Sequence, residues 1–416
     1  MPPPPSLTKQ QMYRRRRIAA AIVLVLTLGI VGVAVYVPAA ASAPLPAAAP
    51  TVVTPAPTPA PAVVAQFPGY GRGAIGAVGF DGPLATAGEQ TAFPIASITK
   101  VVTALVVLDA KPVGIDEPGP DIAFTERDLE IYDEVLAQNG SLQPVRSGLV
   151  MSQRQVLETV LIPSANNYAE SLAVWAYGST DAYLAAARTW LDSKGLTQTA
   201  VVDTNGLSPG NVSTPAELVE LGKLALADPV VASIVATPTA EEPYVGEIDN
   251  TNKLLGIGGV DGIKTGTTDE AGACLLFSTD VAVGDTSVTV VGVILGAETH
   301  PELNESVLTL LDSVRPGFQQ LTLVTAGDQL ASWTSAWGDS ATAVASETRT
   351  ALVYSDEPVT GSVAAPELSS GLEAGAAAGT ATYTVGTESI EVPLVIADPL
   401  EDPDFWWRVQ NPPWSR

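Results

Sequence analysis

The longest uninterrupted apolar run covers residues 18–37 and carries no charge. In a helix, about twenty such residues reach across the hydrocarbon core of a bilayer. Shorter runs follow with other periods. Residues 73–79 and 84–87 flank Phe80-Asp81-Gly82-Pro83, which predicts two strands joined by a turn. Residues 101–108 are almost wholly apolar and predict a buried helix. Residues 113–150 are polar and acidic, with helical periodicity near 126–136. Ser152 is placed to cap a helix over 153–162, which Pro163 stops. The helical pattern resumes over 168–177. Thr180 opens a longer helix to 194, closed by Gly195, and Thr214 with Pro215 opens another to about residue 227. Strand character returns at 260–267, 272–279 and 286–295, followed by a helix over 302–314. Two strands, a block of helices, three strands and a helix predict one sheet built from early and late strands. Helices would cover its faces, with the helical block inserted. The strand order and directions are left open by this pattern.

Texture marks the boundaries. Residues 38–66 are rich in Ala, Pro, Thr and Val, which predicts a semi-rigid extended linker and not a packed segment. Beyond about residue 319, short alternating runs at 351–354, 380–385 and 389–396 are broken by Gly, Pro, Asp and Ser, the texture of a small β domain. The aromatic tail Phe405-Trp406-Trp407-Arg408-Val409 is expected to be a strand edge packed on that domain. The expected division is a basic tail at 1–17, a transmembrane anchor or uncleaved signal at 18–37, the linker at 38–66, a main domain at 67–318 and a β-rich domain at 319–416.

Charge refines this picture. The formal charge is −25, yet residues 1–37 hold Lys9, Arg14, Arg15, Arg16 and Arg17 and no acid. With those five set aside, 15 basic residues face 45 acidic ones, a balance of −30. A body so acidic is not expected to bind nucleic acid. Basic residues before the apolar run and none just after it place the N-terminus in the cytoplasm and the body outside. A secretory signal is the rival, with cleavage at Ala39-Ala40-Ala41 or Ala41-Ser42-Ala43. The run's length favours a retained single-pass membrane anchor. The lone Cys274 excludes an internal disulfide. The single histidine, His300, gives little support to a histidine triad or a multi-histidine metal site. Its loop, Glu298-Thr299-His300-Pro301, is expected to leave it solvated. No metal or cofactor is expected.

Three separated stretches bear on one chemistry. In Pro94-Ile95-Ala96-Ser97-Ile98-Thr99-Lys100, Ser97 stands at the first turn of the buried helix, and Lys100 is its i+3 neighbour on one face. A serine hydroxyl needs a base to become a nucleophile, and burial can make a lysine neutral enough to serve. The helix N-terminus also favours a developing oxyanion. Ser164-Ala165-Asn166 falls in a break between helices, where a hydroxyl can relay a proton and an amide can both donate and accept. Asp261-Gly262-Ile263-Lys264-Thr265-Gly266-Thr267 puts a cation and hydroxyls on a strand. Bare Gly266 would let a peptide backbone approach and pair with that strand. Each stretch alone has an ordinary structural explanation. Their occurrence together, 67 and 100 residues apart, is less easily explained that way.

The order S-x-x-K, S-x-N, K-T-G resembles the penicillin-binding proteins and β-lactamases. The chain resembles, in particular, the serine-type D-alanyl-D-alanine carboxypeptidases, the low-molecular-mass penicillin-binding proteins. The resemblance runs over about 73–318 and includes Pro163-Ser164-Ala165-Asn166-Asn167, Asn205-Gly206-Leu207, Ser213-Thr214 and Asn250-Thr251-Asn252. It implies a mixed α/β fold of the β-lactamase/transpeptidase type: an antiparallel sheet flanked by helices, a helical subdomain, and here a small C-terminal β domain. By resemblance, Ser97 attacks the carbonyl between two D-alanines and Lys100 is its base. Ser164 and Asn166 relay the proton and position the substrate. Lys264 and Thr265 hold the terminal carboxylate beside Gly266. The N–H groups of Ser97 and Thr267 form the oxyanion hole. The implied substrates are peptidoglycan stem peptides ending in D-Ala-D-Ala, with β-lactam antibiotics as inhibitors. Where many relatives have Asp after the second motif, this chain has Asn167.

Two alternatives stay open. A class A-like β-lactamase shares the motifs, but its E-x-x-L-N motif is not visible between the second and third of them. A non-catalytic cell-wall-binding or scaffolding relative could keep the fold without the reaction.

Overall fold

The computed structural model describes residues 8–54, 61–370 and 372–415. The chain divides into two compact units.

The smaller unit joins Met1–Pro59 with Leu321–Val353 and Glu357–Arg416. Its first helix, α1 (Lys9–Ala41), is capped by Thr8, runs through the basic residues and the whole apolar run, and is almost entirely exposed. Residues 1–7 of the expected tail lie outside the described residues. The linker expectation needs correction. Helix α1 continues to Ala41, and Pro50–Val52 forms a strand paired antiparallel with Gln329–Thr334. Proline at a strand's first position leaves no ladder donor missing, and the β-branched Thr51 and Val52 suit an edge. Residues 55–60 of that stretch lie outside the described residues.

The C-terminal part of this unit is a six-stranded antiparallel sheet. Its strand order is Pro50–Val52, Gln329–Thr334, Ser340–Ala345, Glu388–Asp398, Ala377–Val385, Val359–Ala364. Alternating side chains bury Trp333, Tyr383, Val392 and Leu394.

The larger unit, Ala60–Gln320 with Tyr354–Asp356, is built on a five-stranded antiparallel sheet. Strands β1 (Arg72–Ala77) and β2 (Ala85–Ala87) form the expected hairpin. Helix α2 (Thr99–Ala110) follows a single 3₁₀ turn at Ala96–Ile98 and is buried from Thr99 to Leu108. A helix apolar on every side belongs inside a core, which is why residues 101–108 show no polar face.

The helical block is α3 (Glu126–Ala137), α4 (Gln153–Leu161), α5 (Asn166–Tyr177), α6 (Thr180–Ser193), α7 (Pro215–Ala227) and α8 (Pro229–Val235). Ser152 caps α4 through a capping box with Gln155, and Thr214 caps α7. Helix α6 is capped by Ser179, one residue before the expected Thr180, because Ser179 is extended and accepts from Ala182 N. Strands β3 (Val260–Thr268), β4 (Gly272–Val283) and β5 (Thr286–Ala297) lead into α9 (His300–Val314). The strand order is β3-β4-β5-β1-β2, so β1 inserts beside β5 and β3 takes one edge. Helix α7 packs on β1 and β5, and α9 packs on β4 and β5.

The tail expectation is also corrected. Phe405–Gln410 is a short helix, α10, and no strand. Asp404 accepts from Trp407 N, a side-chain cap that starts a helix where an aromatic run alone suggests a strand. It meets the end of α1, where Tyr36 Oη donates to Val409 O over 3.0 Å.

Candidate active site

Ser97 sits in the 3₁₀ turn that feeds α2. The preceding Ala96 has φ 46°, a left-handed conformation that a non-glycine residue holds only when its surroundings fix it. Two glycines fix it here. A Cβ on Gly206, itself at φ +89°, would stand 2.0 Å from Ala96 O. A Cβ on Gly266 would stand 2.9 Å from Ile95 O and 3.2 Å from Ser97 N. The bareness of Gly266 therefore also lets β3 lie against the Ser97 turn, beyond the substrate approach expected from sequence.

Lys100 is fully buried. Its Nζ lies 2.8 Å from Ser97 Oγ, 3.0 Å from Asn166 Oδ1 and 2.8 Å from Asn205 O. Burial holds its pKa well below the ordinary lysine value, and the neighbouring charge of Lys264 lowers it further, while Asp203 opposes them. A neutral amine has two N–H groups and one lone pair. The amide and carbonyl oxygens take the two N–H groups, so the lone pair is left for the Ser97 proton.

Asn205 presents its carbonyl because Asp203 gathers the loop. Asp203 accepts from Asn205 N at 2.9 Å, Gly206 N at 2.6 Å and Ser208 N at 2.7 Å. Ser164 lies in the turn between α4 and α5 with φ 65°, and Asn166 opens α5, its N–H held by Ser141 O at 2.8 Å. Asn167 is buried and closes on the Gln143 backbone, accepting from its N–H and donating to its carbonyl. An amide serves that two-way bond, and a carboxylate could not donate its half.

The third stretch lies on the edge strand β3. Lys264 is buried, and burial pulls its pKa down to about 7. Thr265 Oγ1 is 2.6 Å from Thr251 Oγ1, and Asn252 Nδ2 donates to Gly262 O at 2.9 Å. The Asn250-Thr251-Asn252 turn thus braces β3. Ser97, Ser164, Thr265, Gly266 and Thr267 line one cleft of about 410 Å³, while Lys100 and Lys264 are buried. Of the eight sequence-derived site residues, these five line the cleft, the Lys100 amine joins Ser97 to Asn166, and Lys264 directly precedes Thr265 on β3.

One expectation fails. His300 is not simply solvated: it is half-buried in the wall of this cleft, its Nε2 2.7 Å from Thr267 Oγ1. Its neighbour lies 33 residues back in the chain, a separation that leaves no local motif.

The profile of the peptidase S11 family, D-alanyl-D-alanine carboxypeptidase, matches residues 84–299. The chain is 33% identical over 214 residues to a D-alanyl-D-alanine endopeptidase of Pseudomonas aeruginosa, covering 50% of this chain and 66% of that protein. It is 28% identical over 334 residues to the D-alanyl-D-alanine carboxypeptidase DacC of Escherichia coli, covering 76% and 80%. Over the first-mentioned relative, then, the chain spans slightly less than two thirds of that protein's own length. The fold is similar to that of a peptidoglycan synthesis regulatory factor (PBP3) from Streptococcus pneumoniae. That match has a TM-score of 0.58 and 22% identity, and covers 79% of this chain and 98% of that one.

Proposed function

The chain belongs to the peptidase S11 family of D-alanyl-D-alanine carboxypeptidases, and on that premise we propose that it removes the terminal D-alanine from peptidoglycan stem peptides through an acyl-enzyme on Ser97. The observation that carries this reading is the buried Lys100 amine, 2.8 Å from the Oγ of Ser97, which lines an open cleft. Ser97 attacks the carbonyl of the penultimate D-alanine while the Lys100 lone pair accepts its proton. The N–H groups of Ser97 and Thr267 receive the developing oxyanion. Ser164 passes the proton on to the leaving amine, Asn166 holds Lys100 and the substrate backbone, and D-alanine departs. Water then enters and frees the acyl group. Lys264, Thr265 and Thr267 draw the terminal carboxylate to the β3 edge, where a peptide adds as a further strand beside Gly266. A β-lactam would occupy the same cleft and acylate Ser97.

The apolar, exposed stretch of helix α1 that follows its basic residues supports a single-pass anchor that holds this body on the outer side of a bacterial cell membrane. The similarity to proteins named endopeptidases favours a second substrate for the same acyl-enzyme, a D-alanyl bond within a cross-link.

The test is incubation of the full-length protein in detergent with a D-Ala-D-Ala-terminated pentapeptide and with a cross-linked muropeptide dimer. Loss of one alanine from the pentapeptide supports the main reading. An untouched pentapeptide contradicts it, and cleavage of the dimer alone selects the second substrate.

A further inference from the structure

The chain contains a single histidine, and it lies in the wall of this cleft. His300 is the first residue of α9, and Asn304, one turn later on the same face, lines the cleft with it. The charged groups around the imidazole come from three places. Lys264 on β3 lies beneath. Asp249 and Lys253 come from the rim that precedes β3. Glu298 and Glu302 stand at the start of α9, where Glu302 Oε2 accepts from Glu298 N. Burial and the Lys264 charge both favour the neutral ring. The one side-chain partner the imidazole has among the described residues is Thr267 Oγ1, at 2.7 Å.

A threonine hydroxyl has one proton to give. When Nε2 is bare, it accepts that proton, and only oxygen lone pairs are left to face the cleft. When Nε2 carries hydrogen, it donates to Oγ1, and the Thr267 proton is free to point at an anion. The tautomer or charge of the ring therefore decides whether Thr267 attracts or repels a carboxylate. We propose that His300 is a positioning residue that turns the Thr267 hydroxyl towards the substrate's terminal carboxylate. This rests on the proposed role of the β3 edge as the carboxylate site. Carboxylate binding must in turn favour the Nε2–H form, because the coupling between the two events is reciprocal.

The experiment uses the full-length protein in detergent and has two arms. D-alanine release from a D-Ala-D-Ala-terminated peptide is measured for the wild type, His300→Ala and His300→Gln. The Ala variant should raise KM about five- to tenfold, the worth of one neutral hydrogen bond, with kcat within about twofold. The Gln variant, whose side-chain amide can donate to Thr267 at every pH, should restore KM and flatten its pH profile between pH 5 and 7. In the second arm, the single histidine gives one ¹⁵N imidazole signature in the Ser97→Ala protein. Saturation with the peptide should move Nε2 towards its protonated position, and the C-terminally amidated peptide should leave it unmoved. An unchanged KM in His300→Ala, or an Nε2 signal indifferent to the free-acid peptide, overturns the proposal. If the wild type releases no alanine, the functional reading fails, and the resonance titration still decides the part played by His300.

Discussion

The amine of Lys100 lies 2.8 Å from the hydroxyl of Ser97, and its other two hydrogen-bond partners are a neutral amide and a neutral carbonyl. Among the described residues, no carboxylate hydrogen-bonds to this amine to hold a proton on it. That is the arrangement of a base. Replacing it with a side chain of similar length, Lys100→Met, should leave the circular dichroism spectrum unchanged and slow acylation by penicillin about 10²- to 10⁴-fold. Near-native acylation in this variant would remove Lys100 from the reaction.

Lys264 gives a pH dependence with a definite sign. Its pKa in the free protein is about 7, and a bound carboxylate must raise it. Binding then takes up a proton above pH 7. The affinity of the Ser97→Ala protein for a D-Ala-D-Ala peptide should therefore weaken from pH 7 to pH 9, by up to about tenfold per unit. Titration calorimetry at pH 6, 7, 8 and 9 measures it. An affinity constant across that range would show that Lys264 does not meet the carboxylate.

Glu242 is buried and beside Glu158, and its pKa is raised to about 9, by burial first and then by its neighbour. In the unfolded chain it would titrate near 4.5. The folded protein thus holds a proton that the unfolded chain releases between those values, so this group's contribution to stability is full below about pH 4.5 and lost as pH rises towards 9. Glu242→Gln keeps the neutral form at all pH values. The difference in thermal midpoint, variant minus wild type, should grow from pH 5 to pH 8.5. A difference that stays constant would mean that Glu242 ionises freely in the fold.

Gly206 touches no chemistry, yet it should be indispensable. Its φ is +89°, and a methyl added to it would stand only 2.0 Å from Ala96 O, which leaves no room for Ala. Gly206→Ala must displace the Ser97 turn or the loop bearing the Asn205 carbonyl. It should reduce penicillin acylation more than tenfold and lower the thermal midpoint. Wild-type acylation by this variant would show that the Ser97 turn is not held from that side.

How much of this was legible beforehand follows from the range of each contact. The Ser97–Lys100 pair lies within one helical turn, and Lys264 to Thr267 are consecutive on one strand, so local patterns carry them. The predicted β3, β4 and β5 differ from the observed ones mainly at their ends, because runs rich in apolar and β-branched residues with Gly punctuation leave little choice. The third partner of Lys100 is a backbone carbonyl 105 residues away, and every residue type has one. The His300–Thr267 and Thr251–Thr265 contacts pair side chains that no spacing rule connects. Asp203 acts through three backbone N–H bonds, which a lone acid in a loop does not announce. The misjudged stretches failed for local reasons. Pro50–Val52 gains its strand from a partner about 280 residues on, and Asp404 caps a helix in a run whose side chains suit a strand.

The proposed reaction requires that one hydroxyl in this chain become covalently attached to substrate. Intact-mass analysis of the full-length protein after brief exposure to penicillin, followed by peptide mapping, reads this out. A single adduct on the peptide containing Ser97, absent from Ser97→Ala, is the expected result. An adduct on any other residue, or one of equal yield in Ser97→Ala, would contradict it.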